Sequence, residues 1–198
     1  MNLQFEAYDP ERHDAHTIAT LIYQADPELM SLGFGSERDV VEIVQKLMSM
    51  EHNQYSREHI TCAALDGELV GVIVGFTGEQ KKRMDKESGQ DWAKAFGVWR
   101  MIRLLPRAGK LERIVTDQVE PDEFVVFGFA VKKAHRGHGL GSRMMEHILE
   151  RHDKVCLDVN IHNERAMRFY QRHGFEMKGR NTIRHKGREL GNLCMRNW

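Results

Sequence analysis

The sequence predicts a mixed α/β (α+β) chain built around one sheet. Three observations carry that expectation. First, an apolar run at 124–131 ends in a basic, glycine-studded turn at 132–141, and a helical pattern, a second apolar run and a second short helical pattern ending at Gly174 follow. The order is strand, turn, helix, strand, helix. Second, Asp66-Gly67 separates the apolar runs 60–65 and 69–76, and Asp-Gly in that setting is a hairpin signal. Third, strand-like stretches at 176–184 and 188–196 flank a turn at Lys186-Gly187. A length of 198 residues, with no internal repeat or linker, suits a single domain over 1–198.

Taken in order, residues 3–8 alternate apolar and polar and read as a strand. Asp9-Pro10 is placed to open a helix, with Asp as cap and Pro in the first helical position. Ile18, Leu21, Ile22 and Ala25 share one helical face, and Asp26-Pro27 is expected to end it. Gly33-Phe34-Gly35 reads as a flexible link. Ser36-x-x-Asp39 then forms a capping box ahead of Val40, Val41, Val44, Leu47 and Met48. Between the hairpin and the apolar run at 124–131 lies a long insertion, about 77–122. Its charged first part, 78–90, reads as a mobile loop. Its second part sets Trp92, Ala95, Phe96, Trp99 and Ile102 at helical spacing, with Arg100, Arg103, Arg107 and Lys110 largely off that stripe. A basic amphipathic helix can lie on a membrane or a partner. An aromatic stripe at this spacing more often packs on a core or lines a cleft. The insertion is the natural place for substrate choice to be set.

The turn carries the chemistry. Arg136-Gly137-His138-Gly139-Leu140-Gly141 places three glycines at alternate positions directly before a helix. Without Cβ atoms, successive N–H groups can line one concavity. The helix behind it adds unpaired donors and the positive end of its dipole. The product is an anion cradle suited to a phosphate or pyrophosphate. The dinucleotide fingerprint fails because Ser142 stands where it needs glycine, and no Gly-Lys-Ser/Thr closes a nucleotide P-loop. The pattern that fits is Arg/Gln-x-x-Gly-x-Gly/Ala, met by Arg136, Gly139 and Gly141. The run Val159-x-x-x-Asn163-x-x-Ala166-x-x-Phe169-Tyr170-x-x-x-Gly174-Phe175 follows at the right separation. Together these motifs, within 123–175, resemble the GNAT acyltransferase superfamily.

That resemblance implies a GNAT fold: a mixed, mostly antiparallel central sheet of about six to seven strands flanked by helices, here with a helical insertion before the central strand. It implies an N-acetyltransferase that moves acetyl from acetyl-CoA to a primary amine by direct attack in a ternary complex. Acetyl-CoA is then a co-substrate, and no metal is called for. The amides from Gly137 through His138, Gly139, Leu140 and Gly141 to Ser142 would hold the pyrophosphate, with Arg136 adding charge. The main chain of Phe129, Ala130 and Val131 would face the pantetheine arm and stabilise the oxyanion. Asn163 would cap its helix and touch the cofactor. Tyr170 would protonate the departing thiolate as general acid, since a phenol is protonated at neutral pH. The first two helices would wall the acceptor pocket, and homodimers are common among such proteins.

An acceptor resembling lysine, with a pKa near 10.4, needs a proton acceptor more than a peptide α-amine does. Glu123 and His162 are the candidate general bases, with Asp158 beside them. Simple alternatives stand for each: a strand-edge charge, a surface histidine, a solvated carboxylate. The competing function is a non-catalytic acyl-CoA-binding or regulatory module that uses the insertion to bind a partner. Lys and Arg balance Asp and Glu, 29 against 29, so no strongly basic footprint points to nucleic acid. The longest apolar run is too short to span a membrane, and the first residues carry no basic-then-apolar leader, so the cytoplasm is the expected location. Cys62, Cys156 and Cys194 each fall in a strand-like run and read as buried thiols.

Overall fold

The computed structural model describes residues 2–97, 114 and 118–198. Its spine is a seven-stranded sheet in the order β1-β2-β3-β4-β5-β7-β6. The strands are β1 (Leu3–Ala7), β2 (Ile60–Leu65), β3 (Glu68–Thr77), β4 (Phe124–Val131), β5 (Val155–Asn160), β6 (Glu176–His185) and β7 (Arg188–Arg196). Every pairing is antiparallel except β4 with β5. Both predicted hairpins close on two-residue turns with positive φ: 49° at Asp66 and 88° at Gly67, 49° at Lys186 and 80° at Gly187. Those values match the twist of the flanking strands.

Helices cover both faces. One carries α1 (Ala15–Ala25), α2 (Pro27–Phe34), α3 (Glu37–Met48), α4 (Gly78–Glu87) and α5 (Gly89–Phe96). The other carries α6 (Leu140–Leu149) and α7 (Glu164–Arg172). Alternation along each strand separates two cores. Ile18, Val40, Val44, Leu47, Val72, Val74 and Ala130 pack under α1 and α3. Val126, Met144, Met145, Val155, Leu157, Val159 and Phe175 pack under α6 and α7.

Several expectations are corrected. Asp9-Pro10 opens no lasting helix: Asp9 accepts from Glu11 N through its side chain and from His13 N through its carbonyl, closing one turn. Helix α1 starts instead at Asp14, whose carboxylate takes the amides of Thr17 and His16. Asp26-Pro27 ends α1 but also starts α2: Asp26 accepts from Leu29 N at 3.1 Å, and Pro27 occupies the first turn, where a missing N–H costs nothing. Gly33 and Phe34 belong to α2, with Gly35 capping it at φ 109°. The capping box at Ser36 and Asp39 forms as predicted. The charged stretch read as a mobile loop is helical. Thr77 and Gln80 form a second capping box, and Lys81 pairs with Asp85 one turn on at 2.8 Å. Trp92 and Phe96 of α5 each lie 5.5 Å, ring to ring, from Phe34 of α2. Buried Asp91 takes His52 N and Asn53 Nδ2, so this part of the insertion is docked on the α1–α3 face. Trp99, Ile102 and the basic residues between 100 and 110 lie outside the described residues. The three cysteines are buried, as expected. Burial pushes the Cys62 thiol up to about 12, which keeps it protonated and unreactive.

Candidate active site

The site is made where β4 leaves β5. The two strands pair only at Phe124↔Val155, Val125↔Cys156 and Val126↔Leu157. Opposite β3 the register then slips: Val74 faces Gly128 while Gly75 faces Val126, so Phe127 is the extra residue of a bulge. The bulge bends β4, and beyond it β5 no longer follows. Lys132 N donates to Val70 O. By antiparallel alternation, Ala130 therefore spends its amide and carbonyl on β3, while those of Phe129 and Val131 point to the β5 side. Of the three residues expected to face the carrier, Phe129 and Val131 turn main-chain groups to the β5 side and Ala130 turns its own to β3. Arg136 Nε donates to Val131 O at 2.8 Å, so this side chain both ties down the strand end and remains exposed beside the turn.

The turn stands at that same end of β4. Gly137 (φ 86°) and Gly139 (φ 79°) take left-handed backbone, and a Cβ on either would meet nothing within 4 Å. The loop is exposed from Arg136 to Gly139. The first turn-to-helix bond is Arg143 N to Gly139 O, and none of the six amides of Gly137–Ser142 has a protein acceptor among the described residues. Six consecutive unpaired donors at the mouth of a helix fit a pyrophosphate. The donor set thus suits a nucleotide-bearing carrier such as CoA, and the split between β4 and β5 gives a linear pantetheine arm somewhere to go.

On the α6–α7 face, beside Phe129 of the diverging strand, lies Tyr170 of α7. Its ring is 6.4 Å from Phe129, 5.2 Å from Phe169 and 5.8 Å from Phe175, edge-on to each. Phe169 in turn lies 3.5 Å from where a Cβ on Gly141 would stand. Cradle, strand and tyrosine are therefore contiguous. The phenol has no hydrogen-bond partner among the described residues, and burial pushes its pKa well above the ordinary value. Asn163 caps α7 through Ala166 N at 3.1 Å.

The two proposed bases fare otherwise. Glu123 is fully buried, and both oxygens are taken. Oε1 accepts from Arg196 Nε at 2.8 Å and Trp198 Nε1 at 3.2 Å; Oε2 accepts from Glu120 N at 3.1 Å and Arg196 Nη2 at 3.4 Å. A carboxylate with four donors has no lone pair left for a substrate. It locks β7 to the start of β4, at the end of that strand away from the split. His162 is exposed past the end of β5 and bonds the Glu189 carbonyl at 2.9 Å.

Sequence reasoning missed an acidic pair on the opposite side of the split. Asp26 and Glu28, at the α1–α2 junction, both receive Asn160 Nδ2 from the end of β5, at 3.2 Å to Asp26 Oδ1 and 3.2 Å to Glu28 Oε2. Burial raises the Asp26 pKa. Asp-Pro read as a helix boundary hid them, because their partner is more than a hundred residues away.

A bulged central strand split from its parallel neighbour, with a glycine turn of unpaired amides at the split, defines an acyltransferase fold. The acetyltransferase (GNAT) family model matches residues 34–175, and the chain belongs to that family. Over 67 residues it is 37% identical to a 5-NmdU N-acetyltransferase of Pseudomonas phage PaMx11, covering 33% of this chain and 48% of that protein. Over 75 residues it is 32% identical to a peptidyl-lysine N-acetyltransferase of Salmonella typhimurium, covering 35% and 52%. The matches span about half the length of these curated relatives. Among solved structures it is similar to an N-acetyltransferase from Staphylococcus aureus Mu50, at TM-score 0.63 and 20% identity over 96% of this chain and 99% of that one. It is also similar to a GNAT family acetyltransferase from Elizabethkingia anophelis with acetyl-CoA bound, at TM-score 0.54 and 13% identity over 98% and 97%. At such identities the likeness is one of fold.

Proposed function

We propose that this protein is an N-acetyltransferase that uses acetyl-CoA and a primary amine in a ternary complex. The observation that carries this reading is the run of six unpaired amides, Gly137–Ser142, at the open end of the β4–β5 split. Acetyl-CoA would supply the activated acetyl thioester. The chain's own part is to orient, polarise and protonate. The cradle amides and Arg136 hold the diphosphate, and Asn163 lines the same end. The N–H groups of Phe129 and Val131 face the split, where one donor to a developing oxyanion is worth about 3 kcal/mol. Tyr170 keeps a proton at Oη for the departing thiolate. Its raised pKa makes it a weaker acid, but the same apolar surroundings raise the thiol, which starts near 8.5.

Titration calorimetry tests the reading: acetyl-CoA should bind the folded protein and compete with CoA. No heat at any concentration would remove the carrier from the account. The non-catalytic acyl-CoA-binding reading draws support from one observation, the saturation of Glu123. Free CoA appearing only when an amine is present excludes that reading. A homodimer, carried from the resemblance, is tested by light scattering.

A further inference from the structure

We propose that the cavity between the end of β1, the end of α3 and α4 is a second ligand site, separate from the acyl-transfer centre, and that it takes a zwitterionic, amphipathic molecule of dipeptide size. Its volume is about 650 Å³, within the roughly 300–1,000 Å³ typical of small-molecule sites. Its lining includes Tyr8, just after β1, and Ser56, Arg57 and Glu58, just before β2. In the sheet order β3 therefore stands between it and the split strand β4. No described residue of α2, β4, β5 or the glycine turn lines it. The site stands whether or not the acetyltransferase reading does.

The rim is held in place before any ligand arrives. Helix α3 stops at Met48, and fully buried Asn53 pins the segment that follows. Its Nδ2 donates to Leu47 O at 3.1 Å and to Asp91 Oδ2 at 3.0 Å, and its Oδ1 accepts from Tyr55 N at 2.9 Å. Its backbone N–H donates to Ser56 Oγ at 3.1 Å. A rim fixed in this way spares the ordering cost of binding. The floor is apolar: Tyr8 and Met48 of the α1–α3 core, with Met50 packed against that core. Methionine adapts to irregular shapes. The rim is charged, and its charges are poorly met. Glu51 and Arg57, of opposite sign, are exposed, and neither has a partner among the described residues. Glu58 Oε1 has Arg83 Nη2 at 3.7 Å and His59 Nε2 at 3.3 Å, and Glu87 Oε2 has His52 Nδ1 at 3.6 Å. None of these contacts closes a good hydrogen bond. An ammonium among the glutamates and a carboxylate on Arg57 would meet what the rim leaves open. An apolar side chain would cover the methionine floor. A molecule with all three parts is a zwitterion with a hydrophobic side chain.

The test titrates leucyl-leucine into the full chain and follows it by amide NMR. N-acetyl-leucyl-leucine amide, which keeps both side chains and loses both charges, is the counterpart. Leucyl-leucine should shift the amides of Glu51, His52, Arg57 and Glu58; the blocked peptide should not. Glu51→Gln and Arg57→Gln should leave the fold intact, because neither side chain is bonded to another among the described residues. Each should weaken leucyl-leucine about tenfold, the loss of one charge-assisted contact. Absence of any shift, equal shifts from the two peptides, or unaltered affinity in both variants would overturn the site. So would shifts confined to Phe129, Val131 and the first turn of α2, which would place the dipeptide in the acyl-transfer centre instead.

Discussion

Tyr170 illustrates how one side chain can be placed by sequence and explained only by its surroundings. It faces Phe129, Phe169 and Phe175, and burial keeps its phenol protonated at any working pH. Tyr170→Phe should therefore lower turnover by about a hundredfold, the lower bound for a lost general acid. Its affinity for CoA should be nearly unchanged, since the ring remains; steady-state kinetics and calorimetry on the same samples separate the two. Glu123 is the contrary case. A carboxylate at the start of the central strand reads as a base, but Arg196 and Trp198 claim it. Replacing it with alanine should cost about 3 kcal/mol in urea unfolding, because the Arg196 guanidinium is left without its buried partner. Neither partner is near enough in sequence to be found from the sequence alone.

At the scale of elements, the glycine turn is the piece whose geometry is legible in the sequence. Spacing alone shows that three glycines precede a helix, and the structure adds that the amides are unpaired and exposed. Gly139 sits at φ 79°, where alanine costs about 1 kcal/mol of backbone strain. Gly139→Ala should fold, with a small loss of stability, and should weaken acetyl-CoA binding about tenfold as the amides re-aim. An unchanged dissociation constant would show that the cradle does not hold the carrier. The insertion was half legible. Its aromatic stripe packs as predicted at Trp92, Ala95 and Phe96. Its charged start is helical because the Thr77–Gln80 capping box, a local signal, outweighs the loop-like composition.

Across the whole molecule, stability should depend on pH through one buried and two half-buried histidines. Desolvation lowers the pKa of His59, His147 and His152. A base whose folded pKa is depressed binds fewer protons when folded than unfolded, so stability rises with pH through that window. It should be fully present above about 6.5, the unfolded histidine value, and fall as the pH drops below it. Asp26, raised by burial, acts in the opposite sense at lower pH, and it is one group against three. Thermal unfolding midpoints between pH 8 and 5, at fixed ionic strength, would check this; a midpoint that climbs on acidification would refute it.

Strand order along the chain, both hairpins, the glycine turn and the helix that bears Tyr170 are legible locally, because each is written in residues within a few turns of one another. Periodicity, turn chemistry and helix caps act over that range. Which carboxylates are occupied, and which stand together, is set by contacts far apart in the chain. Glu123 is filled by residues more than seventy positions later, and Asp26 and Glu28 meet Asn160 across more than a hundred and thirty. Such encounters are set by sheet order and by the split of β4 from β5, a consequence of one extra residue in a bulge that no local pattern announces.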